Sequence, residues 1–161
     1  MIKRIFLFAA LFTCLAACKS KSDAALKYNQ DIVAKDKSLQ SEEQVIEDKV
    51  GSFYNGGMYD SIAVAGEHME EVLQKAIDEI DAKPVPKAKG IEEFKEAVLK
   101  YFRFRKSIYT VYKEYGQAGS DEKREEIETL RNKLVAQRDA VTNDMQNAQK
   151  IFSKANGFRM K

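Results

Sequence analysis

The sequence predicts an all-α protein, an up-down-up-down four-helix bundle that follows a cleaved lipoprotein signal peptide. Apolar residues recur at helical spacing along four long segments, and three short connections separate those segments. No segment shows the apolar/polar alternation of a strand bounded by turns. Two long helical hairpins that pair between chains are the alternative arrangement. The short connections favour the closed monomer.

The first eighteen residues have the layout of a lipoprotein signal. Lys3 and Arg4 precede an apolar run over residues 5–15, and the lipobox Leu-Ala-Ala-Cys at residues 15–18 ends that run. A membrane-spanning helix needs about 20 apolar residues, so this run is too short to be one. We therefore expect cleavage before Cys18 and attachment of lipid, palmitate included, to its thiol.

Four segments follow from these signals. They are a signal peptide at 1–17, the lipidated cysteine with a polar tether at 18–23, the bundle at 24–156 and a C-terminal tail at 157–161. Removing 17 of the 161 residues leaves 144, which is the size of one domain with its own core. The last twelve residues hold four cations and no acid, so a position on an anionic membrane surface is the alternative to a frayed tail.

The first two helices are joined by a glycine turn. The first, over 24–53, carries a stripe of apolar residues three, four and seven apart, and Asn55-Gly56-Gly57 ends it. Asp60 or Ser61 is positioned to cap the second helix. The prolines in the segment 83–87 exclude a continuous helix there, so this segment is a linker.

The last two helices are joined near residue 119. The third is expected over 91–115, with Gly116 and Gly119 ending it. Ser120 is a suitable cap for the fourth helix, which is expected to run to residue 156. Leu134 is expected in the core on the fourth stripe, as is Val98 on the third.

Charge and cysteine content exclude some classes of protein. Lys3 and Arg4 leave with the signal peptide, so 25 of the 27 basic residues remain to face 25 acidic residues. This balance, together with an extracytoplasmic location, speaks against a nucleic-acid-binding protein. Cys14 is removed and Cys18 is expected to be acylated, so no disulfide is expected and stability depends on packing.

A lipobox followed by the helix Ala25-Leu-Lys-Tyr-Asn-Gln-Asp-Ile-Val33 resembles the small all-helical surface lipoproteins of diderm bacteria. The likeness spans the mature chain, and its one local motif is Tyr28-Asn29. This uncharacterised group has no agreed activity to carry over. The resemblance therefore implies a location and a helical fold, and it implies no catalytic or ligand-binding residue.

The sequence lacks the characteristic residues of a metal, haem, hydrolytic or phosphate-binding enzyme. His68 is the single histidine, whereas a di-iron bundle needs two Glu-x-x-His motifs. No haem attachment motif, serine nucleophile motif or phosphate-binding loop is present. The acidic residues around His68 are expected on a solvated helix face. We predict neither metal nor cofactor.

The third helix carries more aromatic residues than one buried stripe requires. Seven of the thirteen aromatics that follow residue 17 lie between Phe94 and Tyr115, with Arg105 among them. The surplus is consistent with a wide core face whose tyrosine hydroxyls reach water. The alternative is a surface for a ligand or a partner, and the candidate residues for that surface are Tyr101, Phe104, Arg105, Tyr109 and Tyr112. Phe104 and Tyr109 are expected toward a flank.

Polar residues interrupt the apolar stripes near the middle of the bundle. The first stripe lacks an apolar residue at Asp36 and again near residues 42 and 43, while Arg105 and Arg138 occupy seam positions. Because a buried guanidinium needs a carboxylate, a central layer of Asp36 with Arg105 and Gln137 or Arg138 is expected. Such a layer sets helix register; a ligand pocket is the alternative.

These observations predict a location more firmly than a role. We expect a monomeric, lipid-anchored, extracytoplasmic protein without enzymatic activity, serving as a binding or structural module of the envelope. An unknown envelope or extracellular protein is the expected partner. Lys19 after the lipidated cysteine favours the outer membrane in a diderm cell, and periplasm and cell surface both stay open. The alternative is a small-ligand binder with a pocket near Tyr101, Arg105 and Tyr112.

Overall fold

The computed structural model describes residues 6–160, with side chains from 21 to 160. Within this range it contains four α-helices and no strand, which confirms the predicted all-α four-helix bundle. The helices are α1 (Phe6–Asn55), α2 (Tyr59–Ala82), α3 (Ile91–Gln117) and α4 (Asp121–Ala155). The predicted cleavage before Cys18 and its lipidation fall on residues whose side chains lie outside the described range. None of the described helices combines the length and apolar character needed to cross a membrane.

The four helices alternate in direction. At one end of the bundle, the Ser22 hydroxyl of α1 donates to the carbonyl of Asn156 at 2.8 Å, next to the start of α3. At the other end, Tyr54 of α1 stacks on Tyr115 of α3 with ring centroids 5.4 Å apart. The part of α1 around Ser22 and the end of α4 therefore share one end of the bundle, as an up-down-up-down order requires.

The helices α2 and α3 pack backbone to backbone through two glycines. A methyl group on Gly66 of α2 would lie 2.5 Å from the amide nitrogen of Lys113 on α3. A methyl group on Gly116 of α3 would clash with the backbone of Tyr59 and Ala63 on α2. The prediction that Gly116 ends α3 is wrong, because the helix continues through it to Gln117 and the glycine serves close packing.

The core lies around α3 and consists of one large cluster and a small second cluster of Val111, Ala118 and Ile127. Its largest fully buried side chains come from α2, α3 and α4: Phe94, Phe102, Phe152, Ile62, Met69, Leu73 and Val98. The rings of Phe94 and Phe152 stack at 4.8 Å between centroids, which joins α3 to α4. Val98 is in the core as predicted, whereas Leu134 is only half-buried.

The apolar stripe of α4 is less buried than the sequence predicts. Leu130 is 44% exposed, although it lies on the predicted apolar stripe of α4. The cause is tertiary: α4 packs on α3, and its hydrogen bonds to α1 lie toward the two ends, at Asn29–Gln149 and Tyr54–Glu128. Between these ends α1 and α4 stand apart.

The caps of two helices follow the sequence signals with one correction. The Ser120 hydroxyl accepts from the Lys123 amide at 3.3 Å and caps α4 as predicted. α2 begins at Tyr59 with Met58 at its cap position and no side-chain cap, so neither Asp60 nor Ser61 caps it.

The residues directly after α4 fold back onto the bundle. Gly157 takes a left-handed conformation (φ 72°), and the Phe158 amide donates to the carbonyl of Ser153 at 3.2 Å. This turn returns the Phe158 ring to Phe152, with centroids 5.7 Å apart. The prediction of a frayed segment from residue 157 is therefore wrong for Phe158, because its ring packs on the core.

Candidate functional site

A groove of about 490 Å³ lies where α1 and α4 stand apart, and α3 forms its floor. The floor is aromatic and aliphatic, with Tyr101, Phe104, Ile108 and Tyr109 from successive turns of α3. The sequence dictates this floor because Tyr101, Phe104 and Ile108, three and four residues apart, point to one side of a helix, and Tyr109 adjoins Ile108.

The two walls of the groove are polar. The α1 wall comprises Gln40, Glu43, Gln44 and Glu47. The α4 wall comprises Arg138, which is exposed, and Thr142. An aromatic floor between polar walls can bind a flat or amphipathic surface, since the rings provide apolar contact and the walls provide hydrogen bonds.

Arg105 holds α3 to α1 beside this groove. Its Nε and Nη2 donate to the two carboxylate oxygens of Glu43 at 3.0 and 2.5 Å, and its Nη1 donates to Asp36 at 2.5 Å. The Arg105 side chain is only 8% exposed. Burial by itself would lower the pKa of Arg105, but the hydrogen bond and charge of Glu43, with Asp36, outweigh burial and raise it. The guanidinium is therefore permanently charged and fixed.

Aromatic rings complete the surroundings of Arg105. The guanidinium carbon lies 5.1 Å from the ring centroids of both Tyr101 and Phe102. Cations at this distance are attracted by the negative face of the ring. Because carboxylates contact Arg105 on one side and aromatic rings on the other, few of its N–H donors are free for a ligand. Arg105 is therefore a positioning residue.

The tyrosines next to the groove are kept protonated. Burial, reinforced by the charges of Glu43 and Glu47, raises the pKa of Tyr109. Burial likewise raises the pKa of Tyr112, whose hydroxyl donates to Glu47 at 2.9 Å. Burial also raises the pKa of Tyr101. These hydroxyls are therefore hydrogen-bond donors, not nucleophiles, at ordinary pH.

The structure places four of the five predicted surface residues together. Tyr101, Phe104, Arg105 and Tyr109 line the groove, whereas Tyr112 contacts Glu47 and lines smaller clefts toward Tyr54. Tyr109 is 2% exposed, so the expectation that it lies on a flank is wrong. The reason is that α3 is covered by α2 as well as by α4, which widens its buried arc.

The predicted polar layer holds in part. The structure brings Asp36 and Arg105 together as the sequence predicts. Arg138 does not join them; it is exposed on the α4 wall, because α1 and α4 are apart at this level. Gln137 is exposed as well.

Sequence reasoning missed Glu43 and Glu47 as members of the site. Glu43 lies seven residues after Asp36, so both carboxylates share one face of α1 and reach the same guanidinium. The second gap in the α1 stripe was the available signal. Glu47 follows Glu43 by one turn and meets Tyr112.

The remaining sequence candidates lie elsewhere. His68 is exposed on α2, with its Nε2 3.0 Å from a Glu42 oxygen. Among the described residues, no group of three or more histidines, cysteines or acids is arranged to hold a metal ion. Tyr28 and Asn29, which carry the resemblance to surface lipoproteins, are buried core residues.

Comparison with known proteins gives no relative to guide the assignment. No protein-family model, curated protein or solved structure matches this chain significantly. The fold and the groove define a class, an all-helical bundle with an open groove beside a buried ion-pair cluster.

Proposed function

We propose that this protein is a monomeric, lipid-anchored, extracytoplasmic module without enzymatic activity that binds a partner in the groove between α1 and α4. The observation that carries the binding role is the groove itself. In a closed four-helix bundle the first and last helices meet along their length, and here they do so only near the ends. The floor therefore lies beneath a polar-walled opening: Tyr101, Ile108 and Tyr109 are at most 9% exposed, and Phe104 is partly exposed.

The ion pairs of Arg105 support this role. Because Asp36 and Glu43 tie α3 to α1 beside the groove, the floor is held in place before any partner arrives. A preorganised surface loses less side-chain entropy on binding than a mobile one. The partner we propose is a protein of the envelope or of the exterior, since the lipobox holds the chain there.

The proposed location rests on the sequence of residues 1–18 and is tested separately from the groove. Cys18→Ser should release the chain from membranes or leave an uncut precursor that takes up no radiolabelled palmitate. In a diderm cell, wild type should fractionate with the outer membrane. A Cys18→Ser variant that matures and fractionates like wild type would refute the anchor.

The groove is tested by cross-linking in cells. A photo-reactive residue at Thr142, inside the groove, should cross-link to a partner, whereas the same residue at Lys133, on the same helix outside it, should not. Arg138→Glu should weaken the Thr142 product, and Lys133→Glu should leave it unchanged. Equal products from both positions, or none from Thr142, would refute the groove as the binding surface.

A small ligand is the second candidate, and the size of the groove favours it. About 490 Å³ lies within the range of roughly 300–1,000 Å³ that small-molecule sites occupy. Native mass spectrometry of protein purified from its own membranes should then show a bound mass of low molecular weight. Arg138→Glu should remove that mass if the ligand is anionic, and a protein cross-link at Thr142 without any such mass would decide against it.

A further inference from the structure

Three separate segments meet at the end of the bundle from which the chain leads to Cys18. They are the part of α1 around Ser22, the connection 83–90 and the residues after α4. Asn156 joins them: its carbonyl accepts from Ser22 at 2.8 Å, and its side chain exchanges hydrogen bonds with the backbone of Lys89 at 3.2 and 2.9 Å. The end is therefore a fixed surface.

Cations predominate on this surface. Neither the segment 83–91 nor the segment 145–160 contains an aspartate or glutamate. We call the exposed cations at this end the basal face: Lys21, Lys87, Lys89, Lys154 and Arg159. Asp23, Asp81, Glu92 and Glu93 are the exposed acids near it, and Asp81 is paired with Lys95, so the face is net positive.

Apolar tips stand among these cations. Val85, between the two prolines of the connection, is 37% exposed, and Met160 is 38% exposed. Cations combined with a few protruding apolar side chains are the pattern of surfaces that lie on anionic bilayers. The charges meet the headgroups there and the apolar tips reach the acyl boundary.

Chain length places the basal face next to the anchor. Cys18 lies four positions before Ser22, and even fully extended this length of chain spans about 14 Å. Electrostatic attraction acts over roughly 8–10 Å at ordinary ionic strength. A chain lipidated at Cys18 therefore holds the basal face near the reach of the headgroups.

We infer that the basal face binds the anionic phospholipid headgroups of the membrane that holds the chain. The orientation part of this inference rests on the proposed lipid anchor; the headgroup binding does not. The bundle then stands on its basal face, and the groove, which lies between the two ends, is held to the side and clear of the bilayer. The face thus orients the groove toward a partner.

The test uses the chain from residue 18 onward with Cys18→Ser, so that binding reports the face without a lipid. All described core side chains lie between Ala25 and Phe158, so this chain retains the complete core. Sedimentation is measured with vesicles of phosphatidylcholine alone and of phosphatidylcholine mixed with phosphatidylglycerol. We expect binding to the anionic vesicles only, and its loss at high salt.

Matched charge reversals assign the binding to the face. The triple variant Lys87→Glu, Lys89→Glu and Lys154→Glu should bind anionic vesicles at least about tenfold more weakly, because each cation near the surface contributes attraction. The control triple variant Lys37→Glu, Lys75→Glu and Lys133→Glu changes the same charge at exposed lateral positions and should bind within about twofold of the parent chain. If the first triple variant fails to fold by circular dichroism, its glutamine version should show a smaller loss in the same direction.

Several results would overturn the inference. They are equal binding to both kinds of vesicle, equal losses in the two triple variants, and release by inorganic phosphate but not by sodium chloride of the same ionic strength, which would indicate a phosphate site. Palmitate labelling of Cys18 in cells is read separately. An unlabelled chain that still binds anionic vesicles refutes the anchor alone, and a labelled chain that does not bind them refutes the basal face alone.

Discussion

Arg105 and Glu43 form a two-pronged ion pair, with Nε to Oε1 at 3.0 Å and Nη2 to Oε2 at 2.5 Å, across the α1–α3 interface. Both side chains are largely buried, at 8% and 15% exposure. Asp36, one heptad earlier on α1, contacts the same guanidinium. One cation is thus held by two carboxylates at the middle of the bundle, and this fixes the register of α1 on α3.

Breaking this cluster should be costly. Arg105→Met leaves two carboxylates facing each other without a cation, and we expect a loss of about 3–5 kcal/mol in the free energy of unfolding. Glu43→Leu should cost less, because Asp36 still pairs with the guanidinium. The measurement is urea denaturation of each single variant.

The double variant Arg105→Met with Glu43→Leu separates specific pairing from general packing. If the pair is specific, the double variant should lose much less than the sum of the two single losses, since neither charge is left without its partner. Additive losses, each small, would show that the pair contributes little and that Arg105 is solvated in solution.

The fold was predictable because its signals are local. Helical periodicity, Gly56-Gly57, the prolines at 84 and 86 and the Ser120 cap each act over a few residues, and together they mark four helices and three connections. The predicted end of α3 is two residues short because Gly116 signals a helix end in sequence. Its role in contacting α2 is visible only once the two helices are paired.

The site was only partly predictable because it depends on which helices are neighbours. Asp36 and Arg105 were paired correctly from their level along the bundle. Arg138 was placed with them because a closed bundle would bring α4 against α1. The separation of α1 and α4 is a tertiary property, and no local pattern in either helix records it. It exposes Arg138 and leaves Glu43 as the second partner of Arg105.

The glycine contacts between α2 and α3 give a prediction with an internal control. Gly66→Ala places a methyl group 2.5 Å from the Lys113 amide nitrogen, so the two backbones must separate. We expect a loss of about 1–3 kcal/mol or more, as for other overpacked interiors. Gly116→Ala should behave similarly, since it meets the α2 backbone.

Gly51→Ala is the matched control. Gly51 lies inside α1, is exposed, and would meet nothing within 4 Å. The same substitution should therefore stabilise the protein by about 0.5–1 kcal/mol, because alanine favours the helix. Thermal denaturation measures the stability of the three glycine variants relative to wild type. Stabilisation by Gly66→Ala would contradict the close approach of α2 and α3.

Two substitutions on α4 should differ in how much they lower the free energy of unfolding, because their sites differ in burial. Phe152 is fully buried and stacks on Phe94, so Phe152→Ala should cost about 3–5 kcal/mol. Leu134→Ala should cost about 1–2 kcal/mol, below the usual range of 2–5 for a fully buried leucine, because Leu134 is only half-buried. Chemical denaturation compares them. Equal losses would mean that α4 is more fully covered in solution, with the groove closed.

The buried tyrosines predict how stability changes at alkaline pH. Burial raises the pKa of Tyr109 and Tyr112 above the ordinary 10.0, and that of Tyr115 to about 12. Between these values the unfolded chain loses phenol protons while the folded chain keeps them, so stability is complete below pH 10 and falls as pH rises above it. Above pH 10, each such tyrosine lowers the free energy of unfolding by up to about 1.4 kcal/mol per pH unit until its own pKa in the folded protein is reached.

The measurement is the melting temperature between about pH 8 and pH 12, with phenolate absorbance followed in parallel. Melting temperature should be nearly constant up to pH 10 and then drop, and phenolate should form in step with unfolding. Tyr109→Phe removes one titrating group, so its melting temperature should fall less steeply above pH 10 than that of wild type. If phenolate forms fully near pH 10 while the protein stays folded, these hydroxyls are open to water and the floor of the groove is not packed as described.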